Sequence, residues 1–575
     1  MLTKQFPARL SKDIADNFNF QQALMRLAEG KPETPRSWVY EDRDPSWILQ
    51  SWESRLKLLE GGDLGKISEW DLSKSDKFAS QGAVAPFDER FDTLIEYWSH
   101  LDDSPIFHSA EWQKAKAIAV SSLGFNRTGN PRPVEQVVER GLNEDKYNTS
   151  SGDPLFLKRK SDLAIEQAIS AAKSGSWKTF YPVLGSRASM GKTGTKARWI
   201  FMFPMSVNLV EQQFQQPLQD YIRSKHVTFF TPWEGWDAVQ TQLSSWIPQE
   251  EGFIRERMLK FGCDYTKMDQ HFNFHHAEQC YDVIKEYFQP RYWNALHESI
   301  RYTFFCDVVA PEHLISGPHA MPSGSGWTNF LETIFNFILI HYLAVKYGLG
   351  VGMAMGIGDD QIWFPGSPTI IKADSRRNFA ALSLTKTRKR FDDEQKLADF
   401  IVSIFKSVGL DANPEKQEVS YDMISFLQRH AYTGWSPSGI KYAGVYPTIR
   451  ALTSEIYPEF YHNEKDWTKK TFALRCLMIL ENCKYHPLFK EFCIFIAEGN
   501  KNIPEFCLSA DAEILLTRQK AKKIRNFLPT YTQASLDLNP LSFESLRVIR
   551  EHFKKKIRNF LPTYTQASLD LNPLS

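Results

Sequence analysis

Between Val351 and Phe364 the chain reads V-G-M-A-M-G-I-G-D-D-Q-I-W-F. Val351, Met353, Met355 and Ile357 alternate with Gly352, Ala354, Gly356 and Gly358, and an apolar run resumes through Ile362, Trp363 and Phe364. A period of two is the strand signal, so this stretch predicts a β-hairpin with Gly358-Asp359 at its tip. Glycine tolerates the positive φ such tips need, and Asp is a common turn residue. Core packing does not select two adjacent carboxylates, Asp359 and Asp360, at this place. They supply charge.

About a hundred residues earlier, Asp264-Tyr-Thr-Lys-Met-Asp269 closes a second strand-like run, Leu259 to Cys263. Neighbouring strands lie about 4.8 Å apart, which brings Asp264 and Asp359 within reach of one ion. Carboxylates that close repel one another unless a cation lies between them. Mg2+ takes few protein carboxylates and completes its octahedron with water and substrate phosphate, which suits two or three Asp. Mn2+ accepts the same oxygen ligands, so the choice between Mg2+ and Mn2+ stays open. Two such ions about 4 Å apart activate an attacking hydroxyl and stabilise leaving pyrophosphate. The implied reaction is nucleotidyl transfer. Lone G-D-D and D-x4-D patterns are frequent in turns, so weight rests on their order relative to other segments.

From Thr328 onward a helical wheel gathers Thr328, Asn329, Glu332, Thr333 and Asn336 on one arc about 140° wide, with apolar residues filling the rest. A solvated outer face carries Lys and Glu throughout, whereas this stripe has one charge. It predicts a helix face turned to a wet cavity.

Taken in order, residues 149–429 resemble the motifs of RNA-dependent RNA polymerases of RNA viruses. Thr149-Ser-Ser-Gly-Asp-Pro is similar to motif G, Lys192-Thr-Gly-Thr-Lys-Ala-Arg198 to motif F, Asp264-Tyr-Thr-Lys-Met-Asp269 to motif A and Ser323-Gly-Ser-Gly-Trp-Thr328 to motif B. Gly358-Asp-Asp360 fits motif C, Gly409-Leu-Asp-Ala-Asn-Pro-Glu-Lys416 motif D and Phe426-Leu-Gln-Arg429 motif E. Seven matches in the family's order over about half the chain make a specific signal. D-Y-T-K-M-D-Q-H-F, P-S-G-S-G-W-T-N and G-D-D-Q look nearest to picobirnaviruses, whose genomes are segmented double-stranded RNA, with partitiviruses the near alternative.

The resemblance implies a mixed α+β, right-handed polymerase with an antiparallel palm sheet, fingers and a helical thumb. It makes Asp264, Asp359 and Asp360 the catalytic metal ligands. Thr149, Ser150 and Gly152 border the template. Lys196 and Arg198, lifted from a strand before the apolar run Trp199 to Phe203, hold triphosphate; the Arg fork suits two parallel hydrogen bonds to phosphate. Ser323, Gly324, Thr328 and Asn329 line the nucleotide site, and flexible Ser323–Gly326 follows the template backbone. Asp269 senses the ribose 2′-hydroxyl that separates RNA from DNA precursors. Many relatives carry Asn four residues after the motif B Thr; Glu332 stands there instead, so Asn329 or Asn336 supplies the amide, or the selection network differs. Lys416 occupies the position assigned to protonating pyrophosphate, where a general acid needs a pKa lowered towards the working pH.

Between Leu155 and Arg198 nine Lys or Arg face two acids, on a chain whose net charge is +1. That basic excess suits phosphate passage, although Lys158, Arg159 and Lys160 also read as a solvated basic helix. A second basic cluster, from Arg376 to Arg390, fits product-duplex contact or mere solvation. The 575 residues, 42% hydrophobic, exceed one core and predict two to four cooperating units. Family resemblance divides them into an N-terminal region bracing fingers and thumb (1–110), fingers (111–204), palm with interleaved fingers segments (205–446), thumb (447–521) and tail (522–575). The Trp-rich aromatic content suits both core and base stacking. Seven scattered cysteines show no metal or disulfide spacing and read as thiols in a reducing compartment. No run of eighteen apolar residues and no signal peptide is evident. The expected partners are RNA template and product, nucleoside triphosphates and the capsid interior, with no membrane. The expected setting is the virion interior and host cytoplasm, with the enzyme a monomer.

The segment Lys522 to Ser542 recurs unchanged as Lys555 to Ser575. Two identical copies are too few for a solenoid, so a recent duplication is expected and one copy should be dispensable. A tail that folds into the cleft to regulate initiation is the alternative. Two functional rivals also stand: a reverse transcriptase, and a non-catalytic RNA-binding or capsid protein retaining the fold.

Overall fold

The structure is a computed structural model describing residues 2–3, 16–62, 64–189, 196–253, 259–367, 369–371, 383–385, 391, 393–460, 462–463, 465–524, 526–529 and 536–560. Of these, 2–3, 189, 196, 247–253, 369–371, 383–385 and 556–560 are described by backbone alone.

The alternating stretch folds as its period dictates. Ala354–Ile357 and Asp360–Trp363 pair antiparallel, with Ile357 opposite Asp360, so the connecting turn is Gly358-Asp359 as expected. Lys260–Cys263 adds beside Asp360–Trp363, and Glu418–Ser420 beside that, completing an antiparallel sheet of four strands. One face of this sheet lies on the largest core, where Phe261 and Trp363 meet Phe405 and Tyr265. Met355, Ile362 and Phe364 point the other way, into a smaller core with Trp246 and Phe426. Alternation along the hairpin strands therefore serves two dry faces, and the hairpin's carboxylates collect at its turn.

The Trp327–Tyr347 helix runs through the large core, buried along nearly all its length, and ends where Gly348 takes a left-handed φ of 63°. It is long and apolar enough to cross a bilayer, but 83% of its most apolar window is buried inside the protein. A five-stranded sheet stands to one side, in the order Leu2–Thr3, His313–Ile315, Val308–Ala310, Val183–Ser189, Lys196–Met202. Its last strand is the one expected to carry Lys196 and Arg198, and it leads into the Met205–Ser224 helix.

From Thr448 onward the described chain is helical and builds its own core, which Val39, Ile48, Trp52 and Leu56 complete from the N-terminal region. Buried Asp71 fastens the two parts by accepting from the N–H of Thr448 at 2.8 Å and of Ile449 at 3.0 Å. These orphan donors open the Thr448–Ile456 helix, so a carboxylate caps it from nearly four hundred residues away. Arg90 reaches the five-stranded sheet, donating to Ser186 Oγ at 2.8 Å and lying 3.9 Å from the Trp199 ring centroid.

Of the repeated segment, the first copy buries Phe527 in the helical core, with Ile524, Leu528, Leu536 and Leu541 packed alongside. In the second copy Lys555–Phe560 continue the Glu544–Phe560 helix, whereas their counterparts at 522–524 and 526–527 are not helical; the remainder of the second copy lies outside the described residues. Six of the cysteines are buried, Cys263 is half-buried, and none is bonded to another.

Candidate active site

Gly358 takes φ +60°, and a Cβ there would stand 2.8 Å from Asn329 Nδ2 and 3.3 Å from Glu332 Oε2. Only glycine fits this tip without strain. Its N–H donates to Thr333 Oγ1 at 2.8 Å and its carbonyl accepts from Asn336 Nδ2 at 2.9 Å. Both partners are fully buried. The polar stripe is thus corrected in its lower half: Thr333 and Asn336 hold the turn that carries Asp359 and do not face a wet cavity. Asn336 Oδ1 also accepts from Tyr265 at 2.9 Å, which removes Asn336 as a source of the missing amide.

Register brings the third carboxylate in. Cys263 lies opposite Gln361, so Asp264 follows the strand out at the level of Asp360. Gln417 fixes its backbone: the Asp264 N–H donates to Gln417 Oε1 at 3.1 Å and the Asp264 carbonyl accepts from Gln417 Nε2 at 2.8 Å. Lys416, the residue before it, is near enough to offset the acidity shift of Asp264.

All three carboxylates reach solvent at the surface, yet the crowded cleft hinders their ionisation. Desolvation pushes Asp264 up. It pushes Asp359 up with help from Asp269 and Asp264, and takes Asp360 to about 7 with help from Asp359 and Asp264. Asp264 thus bears on both carboxyls of the turn. Arg198 opposes the shift at Asp359 and Asp360, which places its charge over the turn. Among the described residues no three His, Cys, Asp or Glu form a ready-made metal cage. Crowded, solvent-reaching aspartates are nonetheless a donor set that a cation with its own waters would neutralise.

Around this turn, Ser323 Oγ donates to Asp269 Oδ2. Gly324 takes φ +134°, and a Cβ there would lie 2.0 Å from the Phe201 carbonyl oxygen. Asn329 is exposed beside the tip. The Thr328 hydroxyl is within 3.1 Å of the carbonyls of Pro322 and Ser325 and braces the loop from behind. Glu332 is buried, and desolvation followed by Asp269 and Asp359 pushes its carboxyl well above the usual range.

At the expected template border, Thr149 and Ser150 are exposed, while buried Gly152 has φ +67° against Phe203 and Pro204. Lys158–Lys160 form no helix. Arg159 is half-buried and donates to the Ser150 carbonyl at 3.0 Å. Part of the basic excess is also spoken for: Lys173 pairs with Glu135, Lys178 with Glu298 and Arg187 with Glu459. The side chain of Lys196 and the cluster from Arg376 to Arg390 lie outside the described residues. The sequence missed Gln417 and Glu211, a buried acid whose carboxylate meets the Ser325-Gly326 loop, and it singled out Thr333 without its partner in the turn.

No protein-family model matches the chain. Over 496 residues, 83% of this chain and 84% of the relative, it is 25% identical to a protein described as the potential RNA-dependent RNA polymerase of Human picobirnavirus. Over 303 residues, 51% of this chain and 50% of the relative, it is 21% identical to the RNA-directed RNA polymerase of Cryptosporidium parvum virus 1. Its fold matches the crystal structure of a human picobirnavirus RNA-dependent RNA polymerase with a TM-score of 0.74 and 21% identity, covering 95% of this chain and 100% of that one. An insertion-loop deletion mutant of that polymerase matches with a TM-score of 0.71. The fold is that of a right-handed polymerase, and the relatives it resembles are RNA-dependent RNA polymerases of viruses. Within that class the chain is similar to the picobirnavirus polymerases.

Proposed function

We propose that this chain copies RNA into complementary RNA from nucleoside triphosphates, using Asp264, Asp359 and Asp360 as one carboxylate centre. The observation that carries this is the register Cys263 to Gln361, which sets Asp264 beside the Gly358-Asp359-Asp360 turn. The 3′-hydroxyl of the growing strand gives up its proton to solvent water and attacks the α-phosphorus. The new O–P bond forms as the bond to the β-phosphate oxygen breaks, and pyrophosphate leaves. Mg2+ or Mn2+ held by the three aspartates would supply the positive charge that this transfer of negative charge needs.

The remaining steps belong to the chain's own groups. Arg198, with Lys196, orients the triphosphate, and alignment with charge neutralisation is the main source of rate in such transfers. Lys416, adjoining the Gln417 clamp on Asp264, donates a proton to pyrophosphate. The Ser323–Asp269 pair meets the ribose, with Gly324 and Asn329 at the nucleotide and Thr328 bracing their loop. Thr149, Ser150 and Gly152 border the incoming template. Residues 1–110 brace fingers and thumb, 111–204 form the fingers, 205–446 the palm and 447–521 the thumb. The enzyme works as a monomer inside the capsid and in the host cytoplasm, on a segmented double-stranded RNA genome.

The test is synthesis on an unprimed RNA template with NTPs or dNTPs, with Mg2+, Mn2+ or a chelator. Metal-dependent NTP incorporation is expected, with dNTPs rejected and the rejection weakened in Ser323→Ala. A preference for dNTPs supports the reverse transcriptase, and salt-sensitive RNA binding without turnover supports the non-catalytic protein.

A further inference from the structure

Two loops expected to hold the template, Thr149–Gly152 and Ser323–Gly326, are far apart in sequence, yet one chain of hydrogen bonds joins them, buried at Glu211 and Asn208 and half-buried at Arg159. It begins at the motif B loop. Glu211 is fully buried on the Met205–Ser224 helix and accepts from Ser325 Oγ at 2.5 Å, from the Gly326 N–H at 2.8 Å and from Asn208 Nδ2 at 2.8 Å. The other end of the Asn208 amide accepts from Arg159 Nη2 at 2.7 Å. Arg159 in turn donates Nε to the Ser150 carbonyl at 3.0 Å and its own N–H to the Thr149 carbonyl at 2.9 Å. A single amide thus bridges two opposite charges, and each charge ends on one loop.

The same short stretch seats both loops a second time. The Met205 N–H donates to the Ser151 carbonyl at 2.7 Å, and the Phe201 N–H to the Ser323 carbonyl at 2.8 Å. Buried polar groups that lose a partner incur the full cost of desolvation, so such a chain has little slack. A shift of one loop is resisted by the other.

We propose that Arg159, Asn208 and Glu211 are positioning residues that lock these two loops into one unit, so that template RNA is seated at both together. The proposal rests on the polymerase function stated above.

Asn208→Ala tests it, because it removes both links of the bridge without changing a charge. Synthesis by wild type and variant is measured with template and NTP varied in turn. The apparent KM for template should rise about tenfold, while kcat and the KM for NTP stay within about threefold. Arg159→Lys and Glu211→Gln should each raise the template KM, and the double variant should raise it no further than the worse single. An unchanged template KM in Asn208→Ala overturns the proposal, as does an additive double variant. A purely structural role would lower the melting temperature and the fraction of active enzyme and leave both KM values alone. If the wild type synthesises nothing, the polymerase function fails, and the template Kd from fluorescence anisotropy still reads the bridge in the same variants.

Discussion

The side-chain amide of Asn336 donates to the carbonyl of Gly358 at 2.9 Å, joining a helix in the core to the two-residue turn that presents Asp359. Thr333 takes the other side of the same residue, accepting the Gly358 N–H at 2.8 Å and donating to the Asn329 carbonyl at 2.6 Å. A strained, charged turn is therefore held from beneath by groups one helical turn apart, which is how a fold keeps such a turn in place.

Replacing Thr333 by Val keeps the shape and removes the acceptor, leaving the Gly358 N–H without a partner in a dry place. The expected cost is about 1–3 kcal/mol of stability. Because Asp359 rides on this turn, kcat should fall about tenfold or more with the KM for NTP little changed. Thermal melting and single-turnover synthesis check the two parts separately.

Gly358→Ala meets two obstacles. A left-handed φ costs a residue with a Cβ roughly 1–2 kcal/mol, and the new methyl crowds the Asn329 amide. Synthesis should drop steeply. Adding Asn329→Ala relieves the crowding but not the backbone strain, so Gly358→Ala should cost less activity on an Asn329→Ala background than on the wild type. An equal cost on both backgrounds would show that strain alone matters.

A pH dependence follows from Asp360, whose carboxyl is pushed up to about 7 by burial, Asp359 and Asp264. A carboxyl raised in the folded state favours folding while protonated, and that contribution is lost as pH rises through the folded value. Metal binding needs the ionised form. The rise in Tm produced by Mg2+ should therefore grow from about pH 6 to about pH 8 and flatten in Asp360→Asn. Differential scanning fluorimetry over that range measures it; a Tm gain independent of pH counts against metal binding at Asp360.

The hairpin was legible to the residue because its information is local: period-two alternation and a Gly-Asp tip encode strand, turn and strand without reference to the rest of the chain. The Lys196–Met202 strand, signalled by the apolar run Trp199 to Phe203, was legible for the same reason. What the polar stripe touches was not, since a helical wheel gives a direction and not a neighbour; Thr333 and Asn336 meet a turn more than twenty residues away. Arg159 was weighed as a solvated helix residue because nothing nearby names its partner, Asn208. The Met423–Phe426 and Arg429–Tyr432 hairpin turns on Leu427 and Gln428 at φ 49° and 64°, where no glycine or asparagine announces a left-handed pair. Positions of that kind are set by tertiary contacts and carry no local signature.

The central claim is that Asp264, Asp359 and Asp360 act as one centre for RNA synthesis. Its most direct test compares Mg2+-dependent NTP incorporation on an RNA template by the wild type, Asp264→Ala and Asp359→Ala, with folding and RNA binding measured alongside. The account predicts synthesis by the wild type alone and comparable RNA affinity for all three. Synthesis retained by Asp359→Ala or Asp264→Ala would contradict it.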